Sequence, residues 1–119
     1  MPAIAVFTRV PGADNVSGTI REKFYDLSFV SDGVNANYTV GGLTINPDDL
    51  GLLQVIGMEP IGGALAAGTA QTDIFLLNYD HVRKVIQLFG DAVAATGLNE
   101  LGAVAINTLV YRVRVVGFQ

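Results

Sequence analysis

The stretch that decides the fold is Ala105-Ile-Asn-Thr-Leu-Val-Tyr-Arg-Val-Arg-Val-Val-Gly-Phe118. In an extended chain Leu109, Tyr111, Val113 and Val115 fall on one side. Thr108, Val110, Arg112, Arg114 and Val116 fall on the other. This two-residue alternation, rich in β-branched and aromatic side chains, predicts a strand with one buried face. A second strand signal lies at 72–89. Thr72-Asp-Ile-Phe-Leu-Leu-Asn-Tyr79 runs into the connection Asp80-His81-Val-Arg83, and Lys84-Val-Ile-Gln-Leu-Phe89 returns. Two short strands so close in sequence pair as a hairpin.

Working outward, Thr19 to Val30 alternates Tyr25, Leu27 and Phe29 with Asp26 and Ser28 and reads as another strand. Its Arg21-Glu22-Lys23 start is compatible with a helical turn, but the aromatic residues favour strand. Residues 2–10 place Ile4, Val6, Thr8 and Val10 on one side and read as a first strand or an extended arm. Val34 to Val40 is short and extended. Leu52 to Met58 is an apolar strand expected to stop at Glu59-Pro60. A Gly/Ala-rich loop is expected over 61–71, and a second soft region over 90–103, where Asp91 to Ala95 suits one helical turn. No segment is long enough for a helical crossover between parallel strands. The expected class is therefore all-β: one antiparallel domain over 1–119, a small sandwich or barrel with one or two single-turn helices.

The middle of the chain carries the densest local signal, Tyr38-Thr-Val-Gly41-Gly42-Leu-Thr-Ile-Asn46-Pro47-Asp-Asp-Leu50-Gly51-Leu52. Asn46 suits an N-cap, accepting from the amide of Asp48 or Asp49. Pro47 suits the first helical position. Asp48 and Asp49 complement the positive end of the turn. Gly51 is able to end it in the left-handed region, and Leu50 and Leu52 then enter a core. Gly41 and Gly42 permit a bend or a close backbone approach.

Composition narrows the function classes. The chain of 119 residues has no cysteine, which excludes a disulfide scaffold and cysteine-based metal or redox chemistry. Charged residues make up only 15%, against a usual ~25%. So few charges on so small a chain point to surface covered by other chains, hence a homo-oligomer or assembly component. The net charge of −4 gives no basic footprint for nucleic acid. The start Met-Pro-Ala-Ile-Ala-Val-Phe lacks a basic leader region, so no secretory signal is expected, and the two sequons at Asn15 and Asn37 are expected to stay unmodified. No apolar run approaches the ~18 residues of a membrane span.

Catalytic constellations are missing from the sequence. His81 is the single histidine and sits in a hairpin connection without a nucleophile elbow. Asp48 and Asp49 lie where carboxylates stabilise a helix start, outside any calcium-loop pattern. Neither a phosphate-binding loop nor a dinucleotide fingerprint occurs. No catalytic, cofactor-binding or metal-binding residue is expected, and no small-molecule substrate.

The central run resembles a signature of small structural proteins of tailed bacteriophages, in which a Tyr and a Gly-Gly pair precede Pro-x-x-Leu-Gly-Leu. It is similar to the head decoration (cement) proteins. Later landmarks are alike: the Tyr79-Asp80 hairpin connection, Gly97-Leu98 in a Gly/Ala segment, and a final Tyr111-Arg-Val-Arg-Val-Val-Gly117. The resemblance covers roughly residues 38–119. Thr39-Val40 departs from it, since those proteins often carry a Pro just before the Gly-Gly pair. The resemblance implies a non-enzymatic virion protein on the capsid exterior, made in the host cytoplasm. Its partner would be the major capsid protein, whose neighbouring subunits it would clamp as a homo-oligomer, a trimer before a dimer. Candidate interface residues are Ile4, Val6, Phe7 and Val10, Leu65 in the loop 62–70, and Arg112 and Arg114. A phage tail or neck component and a small-molecule-binding β barrel are the alternatives.

Overall fold

A computed structural model of the chain describes residues 2–12, 14–33, 35–65, 75–90 and 99–119. The last strand, β9 (Leu109–Phe118), is interior to the larger sheet. Leu109, Tyr111, Val113 and Val115 are buried along it, while Arg112 is exposed, as the two-residue alternation requires. Antiparallel β3 (Ile20–Val30) flanks β9 on one side and β5 (Gln54–Leu65) on the other. Two strands share the far side of β3, one after the other: β1 (Ile4–Arg9) against its second half and β2 (Asn15–Ser17) against its start.

The smaller sheet is built on the predicted hairpin, β6 (Leu76–Asp80) and β7 (Val85–Gly90). The other side of β7 is shared by two fragments. β4 (Leu43–Thr44) pairs with Val85 and Ile86, and β8 (Asn99–Glu100) pairs with Phe89 and Gly90. All these pairings are antiparallel. Leu27, Phe29, Tyr111 and Val113 of the larger sheet join Leu77, Ile86 and Leu88 of the smaller in one buried cluster. Among the described residues the hydrogen-bonded order does not close on itself, and the two sheets pack as the sandwich of the two expected forms.

Of the two readings of residues 2–10 the first strand holds: β1 is registered against β3 from Ile4–Val30 to Arg9–Tyr25. Two expectations are corrected. The strand after Leu52 does not stop at Glu59-Pro60, and 61–65 is not loop, because β5 continues to Leu65. Its register shifts between Val55 and Gly57 and again between Pro60 and Gly62. Pro60 therefore sits beside an irregularity on a strand whose one ladder partner among the described residues is β9, where a missing N–H is tolerated. The final strand starts at Leu109 instead of Ala105. Ahead of it Ala105 makes only an isolated bridge to Asn37, and Leu109 N donates to Ile106 O in a turn. Arg21 to Lys23 are strand, with no helical start. The one helical turn among the described residues is Pro47–Leu50, of the tighter 3₁₀ form. The turn expected at 91–95 and the landmark Gly97-Leu98 lie outside the described residues, as do positions 66–70 of the candidate interface loop.

Candidate interaction surface

The sequence signature folds into a brace between the sheets. Tyr38 is only 1% exposed. Its hydroxyl donates to Glu100 Oε2 at 2.5 Å and accepts from the Leu88 N–H at 3.3 Å. Leu88 lies in the gap on β7 between the partners of β4 and those of β8. A phenol oxygen thus satisfies the backbone donor that neither fragment reaches. The same Glu100 oxygen accepts from Gly41 N–H at 3.0 Å. Burial first, and the Glu100 carboxylate second, hold the Tyr38 pKa well above its ordinary value.

Gly41 and Gly42 carry φ of 99° and 116°, which L side chains rarely adopt. A Cβ on Gly42 would stand 2.6 Å from Val85 Cγ2. Here the backbone must approach β7 closely, as the Gly-Gly pair suggests. Asn46 Oδ1 accepts from Asp48 N–H at 3.1 Å, Pro47 opens the turn, and Gly51 closes it at φ 67°. Leu50 and Leu52 are buried. The Leu50 carbonyl accepts from Tyr25 Oη at 2.8 Å and from Lys23 Nζ at 3.2 Å, both on β3. One end of the motif is therefore wired to the smaller sheet and the other to the larger. Glu100, Tyr25 and Lys23 are partners that the sequence reading missed. Glu100 did carry a signal: it is the one acidic residue after Asp91.

The hairpin turn is equally structural. Asp80 Oδ1 accepts from the N–H groups of Val82 and Arg83, each at 3.0 Å, and Oδ2 accepts from Arg83 Nε at 2.8 Å. These bonds, led by the Arg83 side chain, hold its carboxyl down to about 2. His81 is exposed in this turn. Among the described residues no group of three or more histidines and carboxylates is arranged to hold a metal ion.

What the fold presents outward is the open face of the larger sheet. By register its rows run Val6–Ser28–Val110–Ala64, Thr8–Asp26–Arg112–Gly62 and Phe24–Arg114–Glu59. The middle is a charged band. Arg112 forks onto Asp26 at 2.9 and 3.1 Å. Arg114 bonds Glu22 and also reaches Glu59 at 3.0 Å. Arg112 lowers the Asp26 pKa, while Asn15 and then Arg114 lower that of Glu22. Arg112 and Arg114, both candidate interface residues, thus spend much of their charge on ion pairs within the chain. Apolar side chains flank the band: Ile4, Val6 and Val30 at one corner, Ile20, Ile56 and Phe118 at the other end, all exposed.

The remaining candidate interface residues divide. Ile4 and Val6 lie on the open face. Phe7 points the other way and packs edge-on against Tyr25 with ring centroids 5.8 Å apart, so it belongs to the margin of the core. Val10 is half-buried where β1 gives way to the turn before β2. Leu65 closes β5 opposite Leu109. Comparison of the chain with protein-family models, curated proteins and solved structures finds no match.

Proposed function

We propose that this chain is a non-enzymatic structural protein of a tailed-phage virion, a decoration or cement protein that attaches to the outside of the capsid and clamps neighbouring major capsid subunits. The proposal starts from the likeness of the Tyr38–Leu52 signature to decoration proteins. The observation that carries it is how that signature is used. Tyr38, Asn46 and Gly51 hold the scaffold together. The open sheet face is left with exposed Ile4, Val6 and Val30 beside a band of self-neutralised charge. Such a face suits broad, weakly charged contact repeated over many copies, where lattice multiplicity supplies avidity. A homo-oligomer, a trimer before a dimer, is the form expected at local three-fold sites.

The test has two parts. Light scattering behind a sizing column gives the mass in solution: a trimer or dimer agrees with the proposal, and a ring of many subunits favours a tail or neck component. Addition of the purified protein to heads assembled without it should then give saturable co-sedimentation.

A further inference from the structure

The edge of β1 away from β3 is only begun as a pairing edge. Val10 N–H donates to the Phe24 carbonyl at 2.9 Å, and the register continues from there to Ile4–Val30. Hydrogen-bonded pairs with β3 therefore fall on the even-numbered residues of β1, and the N–H and C=O of Ala5 and Phe7 point away from it. Ala3 points the same way, and its N–H is met by the Asn37 carbonyl at 2.8 Å, beside a single parallel bridge between Pro2 and Asn37. The chain thus starts a further strand on this edge and withdraws it after one residue. Among the described residues nothing pairs with Ala5 and Phe7 on that side. The edge opens onto a groove of about 340 Å³ between β1 and the segment from β4 to the 3₁₀ turn. Ala5, Phe7 and Ile45 give it an apolar floor, and Thr44, Asn46 and Asp49 a polar wall. Asp49 has no ion pair among the described residues, β1 carries no proline, and the nearby cations are engaged elsewhere: Arg9 at the end of β1 pairs with Asp14, and Lys23 donates to the Leu50 carbonyl.

We infer that this groove is a docking site for an extended, basic segment of another protein, which adds as a strand to β1 next to Asn37. Main-chain bonds to Ala5 and Phe7 hold the guest, alternate apolar side chains enter the floor, and a lysine or arginine meets Asp49. Charge selects the guest: the groove wall offers an unpaired carboxylate, and the chain as a whole carries −4. The inference goes beyond the capsid proposal and does not rest on it.

The probe is an acetylated, amidated hexapeptide alternating valine with lysine, titrated into the full chain by calorimetry and followed by amide hydrogen exchange. Binding should slow exchange at Ala5 and Phe7. Ala5→Pro removes a donor that points away from β3, so pairing with β3 should survive while affinity falls about tenfold. Asp49→Asn should weaken binding about threefold, and a valine–glutamate hexapeptide should bind less well than the lysine probe. Unchanged exchange at Ala5 and Phe7 under saturating peptide overturns the site, whatever Ala5→Pro does to the fold. Equal binding of the two peptides overturns the charge assignment. Protection of those amides that grows with protein concentration alone makes a second copy the occupant and overturns the foreign guest. Because the readout is a peptide on β1, failure here leaves the capsid proposal standing, and failure to bind heads leaves the groove result standing.

Discussion

The Tyr38 hydroxyl lies 2.5 Å from Glu100 Oε2, joining residues 62 positions apart in sequence. Through the same oxygen it caps the Leu88 N–H between two fragments of a strand. Tyr38→Phe leaves the buried Leu88 amide without its partner and the half-buried Glu100 oxygen with the Gly41 N–H alone. It should cost about 2 kcal/mol, read as a lower urea midpoint with unchanged slope. A loss below about 0.5 kcal/mol would mean that water replaces the phenol at no cost.

Within the same motif, Gly42→Ala should be worse than Asn46→Ala. The first forces a side chain into φ 116° against Val85, which costs about 1–3 kcal/mol. The second loses one cap bond, about 1 kcal/mol. Thermal midpoints of the two variants in one buffer give the order, and the reverse order contradicts the close approach at Gly42.

All four tyrosines are buried, and burial raises the pKa of each, that of Tyr111 to about 12. The neutral phenols therefore favour the folded state. Their contribution is whole below the ordinary value of ~10 and is lost as pH rises through the folded values. Phenolate absorbance should stay low through that ordinary value and rise together with the loss of near-ultraviolet circular dichroism. Phenolate forming in the native state near the ordinary value would contradict the burial.

Asp80 acts at the opposite end of the pH scale. Its folded pKa is lowered from 3.8 to about 2, so its contribution is present above 3.8 and is lost as pH falls toward 2. Carboxyl chemical shifts should place its midpoint near 2. A midpoint near 3.8 would mean that the turn bonds do not persist in solution.

Alternation at Leu109 to Val115, the 76–90 hairpin and the Asn46–Gly51 turn were legible because each is a local pattern with a local physical cause. The course of β5 through Pro60 was not. A proline and three glycines suggest a break, and what holds the strand is its long ladder to β9, which no local window contains. The pairing of Arg112 with Asp26 and of Arg114 with Glu59 likewise depends on register between distant strands. Tyr38 could be singled out in its motif, but its pairing with Glu100 could not, because a lone acidic residue 62 positions away does not name its partner. The open face is legible only once the sheets are assembled, since alternation puts Ile4 and Phe7 on opposite sides of β1 without saying which side meets the core.

The central claim is attachment to a capsid shell, and the most direct measurement is quantitative mass spectrometry of purified virions separated into heads and tails. The account predicts this chain in the head fraction, in a fixed whole-number ratio to the major capsid protein that survives washing. Its presence in the tail fraction alone, or its absence from both, would contradict that account.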